Sequence, residues 1–302
     1  MGGERSSDRW TGTGSCTDEL SPPERSAMAN VPTPDTGEEM ETVTSADGTE
    51  IAFERTGGGP PLVLVHGTTA DRTRWEPVRP AFEASFTVYA IDRRGRGESG
   101  DADDYALERE AEDVAAVVDR IDEPAVLLGH SYGALVSLEA ALRTDNVRSL
   151  VLYEPAFPVG DGEITPEETL AEMEALLEAG ENEAALVLLF EEIAELPPAE
   201  LDALRSAPNW PARVAAAHTI LRESLAENEY EFDAARFADL TVPTVLLTGS
   251  ESPQILDDAT RAVDKALPNS RIVTFDGHGH AAMNTAPDRF VDEVLAFVQG
   301  LQ

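Results

Sequence analysis

The sequence predicts an α/β fold: a mostly parallel, doubly wound sheet with an all-helical insertion. Three observations carry this prediction. Strand and helix signals alternate over residues 40–157 and again over 238–302, the pattern of parallel strands covered by helices on both faces. The strand signals are short continuous apolar runs, such as Leu62-Val63-Leu64-Val65 and Ala125-Val126-Leu127-Leu128, as strands buried on both faces require. Between residues 158 and 237 the strand signal disappears and only helical spacing remains.

Residues 1–39 are rich in Ser, Thr, Gly, Pro, Asp and Glu and poor in large apolar side chains, so a disordered acidic leader is expected. Met28 and Met40 are alternative starts. Segments 41–45 and 50–55 flank Asp47-Gly48, a hairpin signal. A loop at 57–61 leads into the strand at 62–65. A helix is expected over 74–85, a strand over 87–91 and a helix over 105–121, where Leu107, Val114, Val117, Val118 and Ile121 recur at helical spacing. A strand at 125–128, a helix at 134–142 and a strand at 149–153 follow. Within 158–237 three apolar stripes are read: Leu170, Met173, Leu176 and Leu177; Leu186, Leu189, Phe190 and Ile193; Val214, His218, Leu221 and Leu225. Pro197-Pro198 and Pro208 punctuate them. Strands at 244–247 and 271–275 then alternate with helices at 257–267 and 287–299.

The chain has 302 residues, 58 of them acidic and 22 basic, for a net charge of −36. Lys265 is the only lysine. The acidic excess is spread over the whole chain beside ordinary apolar patterning, so an acidic interaction segment is the weaker reading. Such a surface resembles that of proteins from salt-in halophiles. At molar salt the Debye length is about 3 Å and like charges barely interact. At low salt they repel and loosen the compact state. The protein is therefore expected to be folded in molar KCl and to lose structure in tens of millimolar; circular dichroism that does not change across that range would refute this. The same charge disfavours nucleic acid and anionic membranes as partners. No run of eighteen apolar residues occurs and the first residues lack the apolar core of a secretory signal, so a cytoplasmic location is expected. Cys16 is the only cysteine, which excludes an internal disulfide.

Gly129-His130-Ser131-Tyr132-Gly133 joins the strand signal at 125–128 to the helix signal that follows. Gly-x-Ser-x-Gly between strand and helix is a nucleophile elbow. The turn is tight enough that side chains two positions either side of the centre would clash, and glycine removes the clash. Ser131 then stands at the carboxyl edge of the sheet and at a helix N-terminus, where amides favour negative charge.

Three further motifs occur in order with this one. His66-Gly67 follows the strand at 62–65, with Trp75 just beyond; Asp92-Arg93-Arg94-Gly95-Arg96-Gly97-Glu98-Ser99 follows the strand at 87–91; Gly277-His278-Gly279-His280 follows the strand at 271–275. Together the four motifs make residues 40–302 resemble the α/β-hydrolase superfamily. The resemblance implies a core at 40–157 and 238–302, with the helical stretch at 158–237 in the place of that family's cap.

The resemblance also implies roles. A serine hydroxyl needs an adjacent base, and His280, the last residue of its motif, takes that role rather than His278. The oxyanion would be held by the backbone N–H of Tyr132, directly after the nucleophile, and by that of Thr68, with the Thr68 and Thr69 hydroxyls as further donors. The triad acid usually follows the seventh strand of this fold, but there the expected position in Gly249-Ser250-Glu251-Ser252-Pro253 holds Ser252. Glu251 lies one residue early. The other known location follows the sixth strand, where this chain has Glu154. Glu154 is favoured, with Glu251 as the alternative and a water-assisted dyad as the remainder. His66 is read as a local hydrogen-bonding residue of the oxyanion loop, His130 as buried beside the elbow or in contact with the cap, and His218 as a packing or pocket residue. Asp92 and Arg94 are expected to hold a tight loop and do no chemistry.

Relatives with an aspartate at the elbow, the haloalkane dehalogenases and epoxide hydrolases, are disfavoured by Ser131. No metal-ligand cluster and no phosphate-cradling loop stand out, so no cofactor and no metal are expected. The leading expectation is a cofactor-independent serine hydrolase of small or medium apolar esters, lactones or related acyl compounds. A lyase or C–C bond hydrolase on the same site is the enzymatic alternative. A non-catalytic small-ligand receptor is the alternative of a different class. The oligomeric state is left open.

Overall fold

The structure is a computed structural model that describes residues 39–160 and 162–301. The leader expected over 1–39, with Cys16, falls outside the described residues except for Glu39, which opens the first strand.

Strands β1 (Glu39–Thr44) and β2 (Glu50–Gly57) form the expected hairpin. Its turn is closed by the Thr49 N–H on Asp47 Oδ1 at 2.9 Å, with Gly48 at φ 92°, a left-handed conformation that glycine adopts without steric cost. Then come β3 (Pro61–Val65), α1 (Arg79–Glu83), β4 (Thr87–Ile91), α2 (Leu107–Asp119), β5 (Ala125–His130), α3 (Tyr132–Ala140) and β6 (Val147–Tyr153). Only helices follow until β7: α4 (Glu167–Glu178), α5 (Asn182–Leu188), α6 (Pro198–Arg205), α7 (Trp210–Ala215) and α8 (Ile220–Glu229). The chain closes with β7 (Thr244–Gly249), α9 (Gln254–Ala266), β8 (Ser270–Phe275), α10 (Ala282–Thr285) and α11 (Pro287–Gln299).

Among the described residues the strands make one eight-stranded sheet in the order β1-β2-β4-β3-β5-β6-β7-β8. β1 and β2 are antiparallel to their neighbours and the remaining pairings are parallel. Alternation along each strand sends side chains to two cores. Val63, Val65, Leu127, Leu150, Leu152 and Leu246 pack on one face with α2, α3 and α9. Leu62, Leu64, Val126, Leu128, Val151 and Leu247 pack on the other with Phe82 of α1 and Phe290, Val294 and Phe297 of α11. This is the doubly wound arrangement, and it leaves the loops after β3, β5, β6, β7 and β8 at one carboxyl edge.

The helical stretch has its own apolar cluster, which includes Met173, Leu186, Phe190, Leu201, Trp210 and Ile220. Its last turn does not: Phe237 is fully buried in the core beneath α9, stacked on Phe232.

Two expectations are corrected. The helix read over 74–85 is a 3-10 turn (Arg72–Trp75) and the short α1, because Pro77 and Pro80 cannot donate to a continuous ladder. The third apolar stripe is not one face. The chain breaks at Ala216 into α7, a 3-10 turn and α8, and α8 buries Ile220, Glu223, Ser224 and Glu227 while Leu225 is 41 % exposed. His218 is exposed, with Nε2 3.5 Å from Asp101, so it packs in no core. The inward turn of α8 is driven by charge: Glu223 meets Arg93 at 2.8 Å and Arg96 at 2.5 Å.

Candidate active site

The elbow is built by close approach of backbone. Ser131 sits at φ 58°, ψ −127°, between β5 and α3, with its N–H on the Tyr153 carbonyl at 2.9 Å. A Cβ on Gly129 would lie 2.4 Å from the Gly133 carbonyl oxygen, and one on Gly133 2.3 Å from that of His66. Both glycines are therefore required by sterics. The 66–69 loop is pressed on the nucleophile in the same way, since a Cβ on Gly67 would lie 2.9 Å from Ser131 Cβ. Thr68 is the next residue of that loop. The Tyr132 N–H begins α3, so no carbonyl one turn earlier claims it. The Tyr132 side chain points away, buried under the Arg93 guanidinium, and its hydroxyl meets that of Tyr105 at 2.7 Å.

His280 follows β8 in a loop tied back to the sheet edge. Its Nδ1 is 2.5 Å from Glu154 Oε2. Glu154 is fully buried, and its other oxygen accepts the Gly249 N–H at 2.7 Å and the Thr248 hydroxyl at 2.9 Å. Burial alone would raise this carboxyl. The His280 hydrogen bond and charge, with the Gly249 N–H, outweigh it and hold Glu154 below the usual carboxylate range. An ionised carboxylate only accepts, so His280 Nδ1 carries the proton that faces Glu154. Glu251 is exposed; its N–H bonds the His278 carbonyl at 3.0 Å, and no hydrogen bond joins it to His280. Glu154 stands at φ 47°, and this left-handed step turns it back toward the sheet edge.

Among the described residues no hydrogen bond joins Ser131 Oγ to His280. The two are linked through His130, whose ring lies 4.6 Å from that of His280 and whose Nε2 donates to the His280 carbonyl at 2.8 Å. Burial, and the His280 and Arg74 charges, push His130 well below the usual histidine range, so it stays neutral. His66 is likewise kept neutral by burial and by Arg93 and Arg96. Its Nε2 accepts the Arg93 N–H at 3.1 Å, and its Nδ1 donates to the Gly67 carbonyl at 2.9 Å. His278 is exposed enough to pair with the Thr285 hydroxyl at 2.8 Å.

The 92–99 turn holds the loops rather than facing the nucleophile. Asp92 accepts the N–H groups of Arg72 and Glu98 at 2.9 and 3.0 Å and also binds the Arg72 guanidinium. A Cβ on Gly97 would fall 2.0 Å from Asp92 Oδ2. Arg94 binds Asp113 through two 2.7 Å bonds. Sequence reasoning missed Arg93, Arg96, Glu110 and Glu223. Arg93 is fully buried between Glu110 and Glu223, which ties α8 to the turn. A pairing between residues 93 and 223 has no local signature. Arg74 and Arg213 were missed as well.

Glu227, one turn beyond Glu223, is pushed up to about 8 by burial and by the Glu223 charge. The folded protein then holds a proton that the unfolded chain releases near pH 4.5. Stability should fall as pH rises from about 4.5 through about 8, by up to several kcal/mol. Glu227→Gln should remove that slope and melt several degrees above wild type at pH 9, as calorimetry across pH 5–9 would show. Among the described residues no cluster of three or more His, Cys, Asp or Glu side chains is placed to hold a metal ion, and no helix is long and apolar enough to cross a membrane.

An elbow serine, an acid-held histidine and an eight-stranded, mostly parallel sheet define an α/β hydrolase. The model of the alpha/beta hydrolase family matches residues 62–293, and the chain belongs to that family. It is 36 % identical to an alpha/beta hydrolase from Sphaerobacter thermophilus, with a TM-score of 0.75 over 85 % of this chain and 100 % of that one. It is 26 % identical to an esterase from a Rhodococcus species, with a TM-score of 0.66 over 87 % and 99 % of the two chains. It is 28 % identical over 259 residues to a pimeloyl-[acyl-carrier protein] methyl ester esterase of Aeromonas hydrophila, covering 82 % of this chain and 99 % of that one. The protein is a hydrolase.

Proposed function

We infer that this hydrolase cleaves small or medium esters, lactones or related acyl compounds through an acyl-Ser131 intermediate. The observation that carries the reading is the 2.5 Å bond from buried Glu154 to His280, beside the elbow serine. Ser131 Oγ attacks the acyl carbonyl as its proton passes to His280 Nε2. The oxygen becomes negative and is received by the N–H groups of Tyr132 and Thr68, each worth roughly 3 kcal/mol. The tetrahedral intermediate expels the alcohol, which takes the proton from His280. Water then gives a proton to His280 and attacks the acyl carbon, releasing the acid and restoring Ser131. Glu154 keeps the proton of His280 on Nδ1 throughout and stabilises the imidazolium. These steps call for no cofactor.

The helical stretch at 158–237 is the cap in this reading. Its support is the set of bonds from the stretch to the active-site loops. Arg213 donates to the Thr69 carbonyl at 2.7 Å, Asn209 donates to the Thr73 hydroxyl at 3.2 Å, and Glu223 pairs with Arg93. Esterase activity in two of the relatives named above supports an ester as substrate. The test is turnover of p-nitrophenyl acetate through butyrate in molar KCl, together with labelling of Ser131 by a fluorophosphonate. Turnover with labelling supports the reading. Labelling at another residue, or binding without turnover, rejects it, and the second outcome marks a receptor.

A further inference from the structure

Interior arginines of this chain are matched with carboxylates. Arg93 pairs with Glu110 and Glu223, Arg94 with Asp113, Arg96 with Glu223 and Arg72 with Asp92. Two arginines beside the proposed nucleophile break the pattern. Arg74 donates to Asn284 Oδ1 at 3.0 Å and approaches Met283 Sδ at 3.0 Å, both in α10, a few residues past His280. Arg213 donates to the carbonyl and hydroxyl of Thr69 at 2.7 and 3.1 Å, one residue past Thr68, and its Nε is buried without a partner. Among the described residues neither has a carboxylate within ion-pair distance. Asp71 attracts Arg213 without pairing with it; its Oδ1 accepts the N–H and hydroxyl of Thr73.

We propose that Arg74 and Arg213 form an anion-binding subsite next to Ser131, and that the preferred ester carries a carboxylate away from its scissile bond. Arg74 is anchored on α10, just past His280, and Arg213 on Thr69, just past Thr68. They are close enough to repel: burial, together with the Arg213 charge, pushes Arg74 down to about 10. Arg74 also acts on His130, the residue before the nucleophile, and on Tyr153. Holding two like charges near one another in part-buried positions is unfavourable unless an anion neutralises them. Such a pair also selects its substrate: the net charge of −36 repels anions in general, and local binding must overcome that field. A planar guanidinium suits a carboxylate better than an ammonium does.

The proposal rests on the reading of Ser131 as nucleophile, and the test separates the two. Monomethyl glutarate carries the carboxylate on the acyl side, and butyryloxyacetate carries it on the alcohol side. Each is compared with its neutral methyl ester, at one fixed KCl concentration, by release of methanol or of butyrate. The readout is the ratio of kcat/KM for acid over neutral ester. In the wild-type protein the ratio should be ten or more for one of the two acids, and that acid identifies the side on which the carboxylate sits. Arg74→Gln and Arg213→Gln should each bring the ratio down about tenfold, whereas Arg74→Lys should keep part of it. A wild-type ratio at or below one for both acids overturns the proposal, and so does a ratio that survives both glutamine variants. Arg213 also supports Thr69, so loss of all activity in its variant leaves the decision to Arg74→Gln. If none of the four esters is cleaved and Ser131 is not labelled by a fluorophosphonate, the hydrolase reading of Ser131 fails instead.

Discussion

Ser131→Ala and His280→Ala are each expected to lower turnover of a p-nitrophenyl ester by three decades or more. The size follows from what the two groups do together. Without the hydroxyl no acyl-enzyme forms, and without the imidazole a neutral hydroxyl has no acceptor for its proton. Removing either should cost about as much as removing both, because they act as one unit. The residual rate would be that of substrate held against the Thr68 and Tyr132 amides with water as nucleophile. Folding should survive both changes. Ser131 Oγ makes no hydrogen bond among the described residues, and alanine meets the φ of 58° with the same strain as serine. His280 is about one third exposed. His130 would still bond the backbone carbonyl at position 280. Steady-state kinetics with circular dichroism on the same samples checks both points. Near-normal turnover in either folded variant would place the nucleophile or the base elsewhere.

The parts of the site that were legible in the sequence are those that sterics impose locally. Gly129 and Gly133 are demanded by backbone oxygens 2.4 and 2.3 Å from where a Cβ would be, so the elbow leaves a fixed trace in a few letters. The same holds for Gly97 against Asp92. The buried strands were legible because continuous apolar runs have few other uses in a chain this acidic. Interactions that join distant segments left no such trace. Leu225 matched a helical stripe and is exposed, because the inward face of α8 is chosen by Arg93 and Arg96, the first of them 130 residues from its partner Glu223. One helix was read over 74–85 although the prolines at 77 and 80 were visible, and they divide it into two short turns. Arg74 and Arg213 carry no motif, and only their surroundings distinguish them from surface arginines.

The triad acid lies between these cases, and it yields the second large effect. Glu154→Gln should lower kcat by roughly three to four decades, and Glu251→Gln should leave it within about twofold. Both glutamates sit in loops at the carboxyl edge, and sequence ranked them by position and by the partner that a glutamate closing an apolar strand would need. Geometry separates them. Glu154 is fully buried with one oxygen 2.5 Å from His280 Nδ1, whereas Glu251 is exposed and bonds the loop only through its backbone. Ser252 occupies the position where the family commonly has its acid, and among the described residues its hydroxyl has no hydrogen-bond partner. Glutamine at 154 keeps an oxygen for the Gly249 N–H and the Thr248 hydroxyl, so packing should be preserved and the melting temperature should move by only a few degrees. Its amide would present N–H to Nδ1 and favour the tautomer with the proton on Nε2, where the serine proton must go. The charge that stabilises the imidazolium would be lost with it. Because Glu154 is held below the usual carboxylate range, it contributes stability above its unfolded pKa that is lost as pH falls through the folded one; that acid-side slope should flatten in Glu154→Gln. If Glu154→Gln retains its turnover while Glu251→Gln loses orders of magnitude, the acid is Glu251 and the Glu154 bond is structural. If both retain it, His280 is oriented by a water, and the 2.5 Å bond does not carry the catalysis.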